Sequence, residues 1–433
     1  MKLPKTVRML VAAGLVVGAG VAQGFVVASA GAAKGTIFVS PAGNPSNAGT
    51  SCGTATYSTI QAAVDAAPAW ATVVVCKGTY MEDVVVSAPL SLRGRDATIH
   101  GSATANAQCD QLGPTGPGVA PCLAGVTVRS SHVSVDGFTV TGAIGEGILA
   151  SGTLAGGSIT DVHITDNRVT GNNTGGIPPS PNSPYPQCAA SGQIPGDCGE
   201  GIHLMGVSHA LVRDNWVSGN EGGILLTDEF GPTHANLIED NTLTGNLFDC
   251  GVTVPGHNPF ALDASGKPQP LVAGVYDNVI RGNRITGNGL LGEGAGVLFA
   301  NAGPGTGSYD NLVEGNYIAG NELSGVTMHA HTVAPGQFED LSGNRIIDNV
   351  IGRNNVGSAV AGPGDGLDGP PAQDFHTTGI LVFSGTVTVH VTIRGNTISG
   401  DHYGVWLGVN DNVEASIANN SYSHVTIHVF TFS

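Results

Sequence analysis

Nine side chains in this 433-residue sequence have the type and the company that chemistry needs. Asp228, Glu229 and Asp249 are carboxylates placed near one another, with His257 following them. Two carboxyl groups held about 5–9 Å apart can cleave a glycosidic bond, one protonating the leaving oxygen while the other acts as base or nucleophile. An imidazole beside them can relay the proton, so these four are the catalytic candidates. Glu200, His203, His329 and His331 are read as contacts to substrate hydroxyls, and Trp406 as a ring that stacks on a sugar face. The competing reading is structural: Asp228 and Asp249 are also good turn-capping residues. His329 and His331 stand two apart, so on a strand they point the same way, a spacing that can seat zinc or copper. Spacing supplies no third ligand, so neither a metal nor a cofactor is assigned.

The elements that must position these groups come from a repeat. Asp166-Asn167-Arg168-Val169-Thr170-Gly171-Asn172 returns at 214–220 and 240–246, and in related form at 282–288, 315–321 and 395–400. Each copy leads to a glycine and a short apolar strand, such as Gly201-Ile202-His203-Leu204, Gly223-Ile224-Leu225-Leu226 or Gly379-Ile380-Leu381-Val382. A further strand, such as Leu237-Ile238-Glu239, closes the unit. Three short strands and three turns make one coil of a parallel β-helix, which cannot bury its apolar face without neighbours. The asparagines are expected to take a left-handed turn and to stack as side-chain ladders. Arg213, Arg281, Arg345 and Arg394 are expected on the surface beside acidic neighbours.

Alternation along the glycine-led strands sends the residue after the glycine inward and the next one outward. His203, Leu225, Thr253, Leu298, Thr327, Leu381 and Trp406 are thus expected to share one outer face. Insertions at 173–199, 228–234, 255–273, 300–308, 330–339 and 357–377 flank these strands and are expected to wall a groove over that face. Glu221, Glu293 and Glu322 add acidic groups beside it. Residues 57–68 have helical periodicity after a Ser/Thr-rich start, and a solenoid end needs such a cap.

The helix segment Ile60-Gln61-Ala62-Ala63-Val64, the turn Gly78-Thr79-Tyr80 and the Asn-x-Ile/Val-x-Gly-Asn coils resemble the pectate-lyase-like or NosD-like right-handed parallel β-helix superfamily. The resemblance implies an all-β right-handed solenoid over residues 34–433. Its members include polysaccharide lyases, glycoside hydrolases, epimerases, esterases and copper-enzyme maturation factors, so it implies a fold more sharply than a reaction.

Composition agrees with that fold and narrows the function. Glycine accounts for 66 residues, 41% are hydrophobic and only 11% charged, which excludes disorder and disfavours helical bundles. Lys2, Lys5 and Arg8 precede an apolar run and Ala28-Ser29-Ala30, the pattern of a cleaved export signal over residues 1–33. A secreted or extracytoplasmic location follows, with no membrane attachment after cleavage. Seven cysteines then suggest disulfides Cys52–Cys76, Cys109–Cys122 and Cys188–Cys198, leaving Cys250 as a buried thiol. The formal charge of −17 argues against nucleic acid as a partner, and the few lysines argue against a polyuronate. The expected partner is a neutral polysaccharide or oligosaccharide. The expected role is cleavage or rearrangement of its glycosidic bonds; the alternatives are non-catalytic glycan binding or a NosD-like metal-linked role.

Overall fold

The computed structural model describes residues 35–101, 108–113, 116–121, 124–153, 157–173, 199–256, 274–291, 294–301, 306–330, 340–356, 376–384, 388–408 and 412–432. Within them the chain winds into stacked coils whose strands pair in parallel with the coil before and after, as the repeat predicts for a right-handed parallel β-helix. Eleven strands form the sheet that carries the glycine-led segments. They are Val84–Val86, Val126–Val128, Ile148–Ser151, Ile202–Met205, Ile224–Thr227, Val252–Gly256, Val297–Asn301, Val326–Ala330, Thr378–Ser384, Tyr403–Gly408 and Ile427–Phe432, in that spatial order. Their register is strict: Ile202, Ile224, Val252, Val297, Val326 and Ile380 stack in one column, and His203, Leu225, Thr253, Leu298, Thr327 and Leu381 in the next.

The first column and its alternate partners Leu204, Leu226, Val254, Phe299, Met328 and Val382 fill one continuous core. The glycine that begins each strand is there because no side chain fits. A Cβ on Gly201 would lie 2.2 Å from Val217 Cγ1, and one on Gly251 would lie 2.2 Å from Ile285 Cγ2.

Asparagine ladders tie the coils together at their corners. One runs through Asn167, Asn215, Asn241, Asn283, Asn316, Asn349, Asn396 and Asn420, each side-chain oxygen accepting from the backbone and side-chain N–H groups of the asparagine before it. A second runs through Asn172, Asn220, Asn246, Asn288, Asn321 and Asn354, and a third through Asn236, Asn278, Asn311 and Asn344. The second ends on Asp401, whose Oδ1 accepts from the Asn354 backbone N–H. The expected left-handed turn falls one residue earlier than the ladder asparagine: Asp166, Asp214, Asp240, Asp277, Asp310 and Asp348 have φ of 53–57°, and Gly282, Gly315 and Gly395 take the same role. A ladder asparagine must aim its amide inward, so its neighbour makes the turn. The coil arginines are exposed, with Arg281 Nη2 2.6 Å from Glu239 Oε2.

The capping helix is shorter than the expected span, covering Ile60–Ala66. Tyr57 instead bridges Val39, and the helix starts where the Glu82 carboxylate accepts the N–H groups of Ile60 and Gln61 at 2.8 and 3.0 Å. Ile60, Ala63 and Val64 bury against the first coils. Cys52 and Cys76 form the expected disulfide, and Cys250 is a buried free thiol. Residues 1–33, the Cys109 and Cys122 side chains, and Cys188 and Cys198 lie outside the described residues. Among those described, no helix is long and apolar enough to cross a membrane.

The ladders carry a direct prediction. Asn283→Ala leaves the Asn241 N–H and Nδ2 without their buried acceptor and removes the donor to Ile238 O. Unsatisfied buried groups cost about 1–3 kcal/mol each, so chemical denaturation should show a loss of about 3 kcal/mol or more. A loss below about 1 kcal/mol would show that the ladder does not hold the coils.

Candidate functional site

The outward column of the eleven-strand sheet is where the chemistry-bearing residues meet. Hydrogen bonds fix the row at the strand starts: Gly147 N–H donates to Glu200 O at 2.9 Å, Gly201 N–H to Gly222 O at 3.0 Å, and Gly223 N–H to Cys250 O at 2.9 Å. Glu146, Glu200, Gly222 and Cys250 therefore occupy equivalent places on four successive coils, with Glu221 and Asp249 one residue before the last two. His203, Thr227 and Thr253 project from the strands that follow.

Glu200 and Asp249 converge above Gly222. A Cβ placed on Gly222 would lie 3.3 Å from Asp249 Oδ2 and 3.4 Å from Glu200 Cγ. The absent side chain thus leaves room for both carboxylates. Asp249 is steadied by the Thr253 hydroxyl, which donates to Oδ2 at 2.8 Å, and Asn173 Nδ2 donates to Glu221 Oε2 at 3.3 Å. His203 Nε2 lies 2.8 Å from Thr227 Oγ1, while its Nδ1 lies 3.5 Å from Glu146 Oε1. Asp228 and Glu229 follow Thr227 on the intervening coil. All of these side chains are buried; the exposure of Asp249, the largest among them, is 8%. The outward face is correspondingly covered: His203, Leu225, Thr253, Thr327 and Leu381 are all buried.

Thus Glu200, His203, Asp228, Glu229 and Asp249 occupy three neighbouring coils. His329 is on the same face but three strands beyond Thr227, about 14 Å at the usual strand spacing. Burial lowers its pKa to about 3, so it is a neutral imidazole at ordinary pH. Trp406 is five strands beyond Thr227 and fully buried, packed beside Leu381, Tyr403 and Phe430. That geometry makes it a packing residue of the C-terminal coils. His257, His331 and Glu293 lie outside the described residues. The Cys250 thiol, pushed well up in pKa chiefly by burial, accepts the Ala295 N–H at 3.2 Å and behaves as part of the core.

Two residues of this face escape the sequence reading. Glu146 carries a signal that was there to be found, because Gly145-Glu146-Gly147-Ile148 duplicates Gly199-Glu200-Gly201-Ile202. Arg129 follows the strand Val126–Val128, in the row of Ser151 and Met205, and brings a cation to the N-terminal side of the face.

His329 yields a pH prediction. The unfolded imidazole takes up a proton near 6.5, whereas the folded one stays neutral down to about 3. Acid therefore favours unfolding, and stability falls as pH drops through that window. Comparing denaturation midpoints of wild type and His329→Gln from neutral to mildly acidic pH should show a shallower loss in the variant; equal slopes would contradict the assignment.

The chain is similar in fold to several solved structures. The hyperthermoactive exopolygalacturonase from Thermotoga maritima matches with a TM-score of 0.55 at 12% identity, over 83% of this chain and 81% of its own. The mannuronan C-5 epimerase AlgE4 A-module from Azotobacter vinelandii matches at 0.50 and 16%, over 86% and 94%. DFA-IIIase from Arthrobacter chlorophenolicus A6 matches at 0.50 and 12%, over 91% and 92%. At these identities the likeness is one of fold, a right-handed parallel β-helix. No curated protein sequence matches the chain significantly. A sequence model of the family described as "Periplasmic copper-binding protein (NosD)" matches residues 126–366, more than half of the chain and the coils that carry Glu146, Glu200, Asp228, Glu229 and Asp249, and the chain belongs to that NosD family.

Proposed function

We propose that this chain is an exported carbohydrate-active enzyme that cleaves or rearranges glycosidic bonds on the outward face of the eleven-strand sheet. The observation that carries the reading is the convergence of Glu200 and Asp249 over Gly222, with Asp228 and Glu229 on the coil between them. Glycosidic chemistry needs one carboxyl group to protonate the leaving oxygen and a second to act as base or nucleophile. Asp249, held by the Thr253 hydroxyl that donates to its Oδ2, is assigned as base or nucleophile. Asp228 or Glu229 supplies the acid. Glu200 and His203 orient hydroxyls. The names of the three structural relatives, an exopolygalacturonase, a mannuronan epimerase and DFA-IIIase, are compatible with this reading. Among the described residues of the face, acidic groups outnumber the cation Arg129, which favours a neutral glycan over a polyuronate.

A second reading, a metal-linked periplasmic factor, draws on the family description and on the oxygen and nitrogen donors of Glu146, Glu200 and His203. Such donors fit a divalent ion such as Cu2+ or Zn2+ better than Cu+, which prefers sulfur.

A panel of neutral and uronic polysaccharides, assayed for new reducing ends and for unsaturated products, tests the first reading. Asp249→Asn and Glu229→Gln should each lower turnover on the active substrate by about 100-fold or more while the fold is kept. Gly222→Ala removes no chemical group but crowds both carboxylates, and should lower turnover at a stability cost of no more than about 3 kcal/mol. Full activity in Asp249→Asn would refute the assignment. Saturable glycan binding without any product would identify a binding protein instead.

A further inference from the structure

We propose that Trp70, His132 and Asp161 form a separate glycan-binding site, which holds a neutral pyranose chain on a corner of the solenoid away from the carboxylate face. Strand register lines up Trp70, Pro89, His132 and Asp161 as one corner row on successive coils. Backbone bonds fix that row: the Trp70 N–H donates to Pro89 O at 2.5 Å and the His132 N–H to Thr160 O at 2.9 Å. The strands that follow these corners belong to a 21-strand sheet, not to the eleven-strand sheet that carries the carboxylates.

Trp70 carries backbone strain that packing does not explain. Its φ is 69°, in the left-handed region, where His132, Asp161 and His209 of the same row have φ of 54–60°. That region suits glycine or a short polar side chain, and an indole is a poor occupant of it. Burial does not offset the strain, because Trp70 is 50% exposed. Strain kept without burial points to contact with something outside the chain. Trp216, also exposed, differs: its Nε1–H donates to Ser218 Oγ at 3.0 Å and the Arg168 guanidinium lies 5.6 Å from its ring, so it is engaged within the protein.

The groups around the indole define the ligand. Two strand spacings, about 9.5 Å, separate the Trp70 and His132 positions, yet their ring centroids are 5.2 Å apart with planes at 36°. The indole therefore leans across the Pro89 corner and leaves a face to solvent. His132 Nδ1–H donates to Asp161 Oδ2 at 3.1 Å, which turns Nε2 outward as an acceptor. Among the described residues, Trp70 Nε1–H, His132 Nε2 and Asp161 Oδ1 meet no hydrogen-bond partner. An apolar plate edged by one donor and two acceptors takes the C–H face of a pyranose ring and the hydroxyls at its rim. The Asp161 carboxylate repels a uronate, and no Lys or Arg stands in the row from Trp70 to His209, so the fitting sugar is neutral. Trp70 to Asp161 spans three strand spacings, about 14 Å, which suits a chain of sugars better than a single ring. This corner shares no residue with the proposed reaction and holds a polymer without cutting it.

The test titrates the full chain with cellohexaose, xylohexaose, mannohexaose and laminarihexaose, following tryptophan fluorescence and heat of binding. At least one hexaose should give a saturable fluorescence change. Trp70→Asn should abolish that change and weaken binding about 10-fold or more, while Trp70→Phe, which keeps an aromatic plate, should retain part of the affinity. Asp161→Ala should weaken binding about 3–10-fold, the loss of one hydrogen bond to a sugar hydroxyl. Because Asn tolerates the left-handed region, Trp70→Asn should also leave the melting temperature unchanged or raise it. Saturable binding to none of the four sugars, or unchanged affinity in Trp70→Asn, would overturn the site. A lower melting temperature in Trp70→Asn would overturn it too, by marking Trp70 as a packing residue. Binding through Trp70 without any product would keep this site and refute the proposed reaction; turnover with Trp70 silent would do the reverse.

Discussion

The amide of one buried asparagine donating to the side-chain oxygen of the next is the interaction on which this fold depends. Each ladder residue satisfies its own backbone N–H, its neighbour's amide and a carbonyl of the adjoining corner, so corners that would otherwise bury unpaired polar groups become the best-bonded part of the coil. The apolar columns inside supply most of the favourable free energy, but hydrophobic contact is not directional. Stacked isoleucines tolerate sliding; a ladder in which each side-chain oxygen takes the N–H groups of one particular asparagine does not. Register is therefore set at the corners and inherited by the strands between them.

That inheritance is what creates a site. In the eleven-strand sheet every coil repeats the same rows, so a polar residue at a strand start is brought beside whatever the next coil places there. Glu146 and Glu200 meet in this way although 54 positions separate them. Asp249 reaches the same neighbourhood because Gly222 leaves its row vacant. The result is a concentration of buried carboxylates around one histidine and two threonines on four consecutive coils, followed by Leu298 and Leu381 on the later strands of the same column. Burial makes ionisation costly, and so makes protonation states and any bound cation sensitive to small changes of geometry. Membership of the NosD family and a fold shared with polysaccharide-active enzymes are both compatible with such a face.

Much of this is legible in the chain itself, and the exceptions have physical causes. The returning Asp-Asn-x-Val-x-Gly-Asn phrase discloses the coil, and alternation after each glycine correctly separates Ile202 and Leu204 from His203. The turn residue is ambiguous in the sequence because Asp and Asn both tolerate a positive φ; only the ladder geometry decides that the Asp takes it. The cap starts later than its periodicity suggests because Glu82, from a later coil, defines its first turn. Trp406 reads as an exposed sugar platform from its column alone, whereas Phe430 and Tyr403 enclose it through contacts that alternation does not encode. Glu146 is hard to read from the sequence because its coil lacks the full repeat phrase, although its Gly-Glu-Gly-Ile setting is the same as that of Glu200.

The buried carboxylate face between Glu146 and Asp249 is the place proposed for this protein to meet its ligand. A crystal structure of the protein soaked with neutral oligosaccharides tests it most directly. Sugar density is expected over Glu200, Asp249 and Thr253, with hydroxyls within hydrogen-bond distance of the carboxylates. Sugar bound instead along the His234, Tyr276 and Tyr309 ring stack on another sheet, with the carboxylate face unchanged, would contradict it.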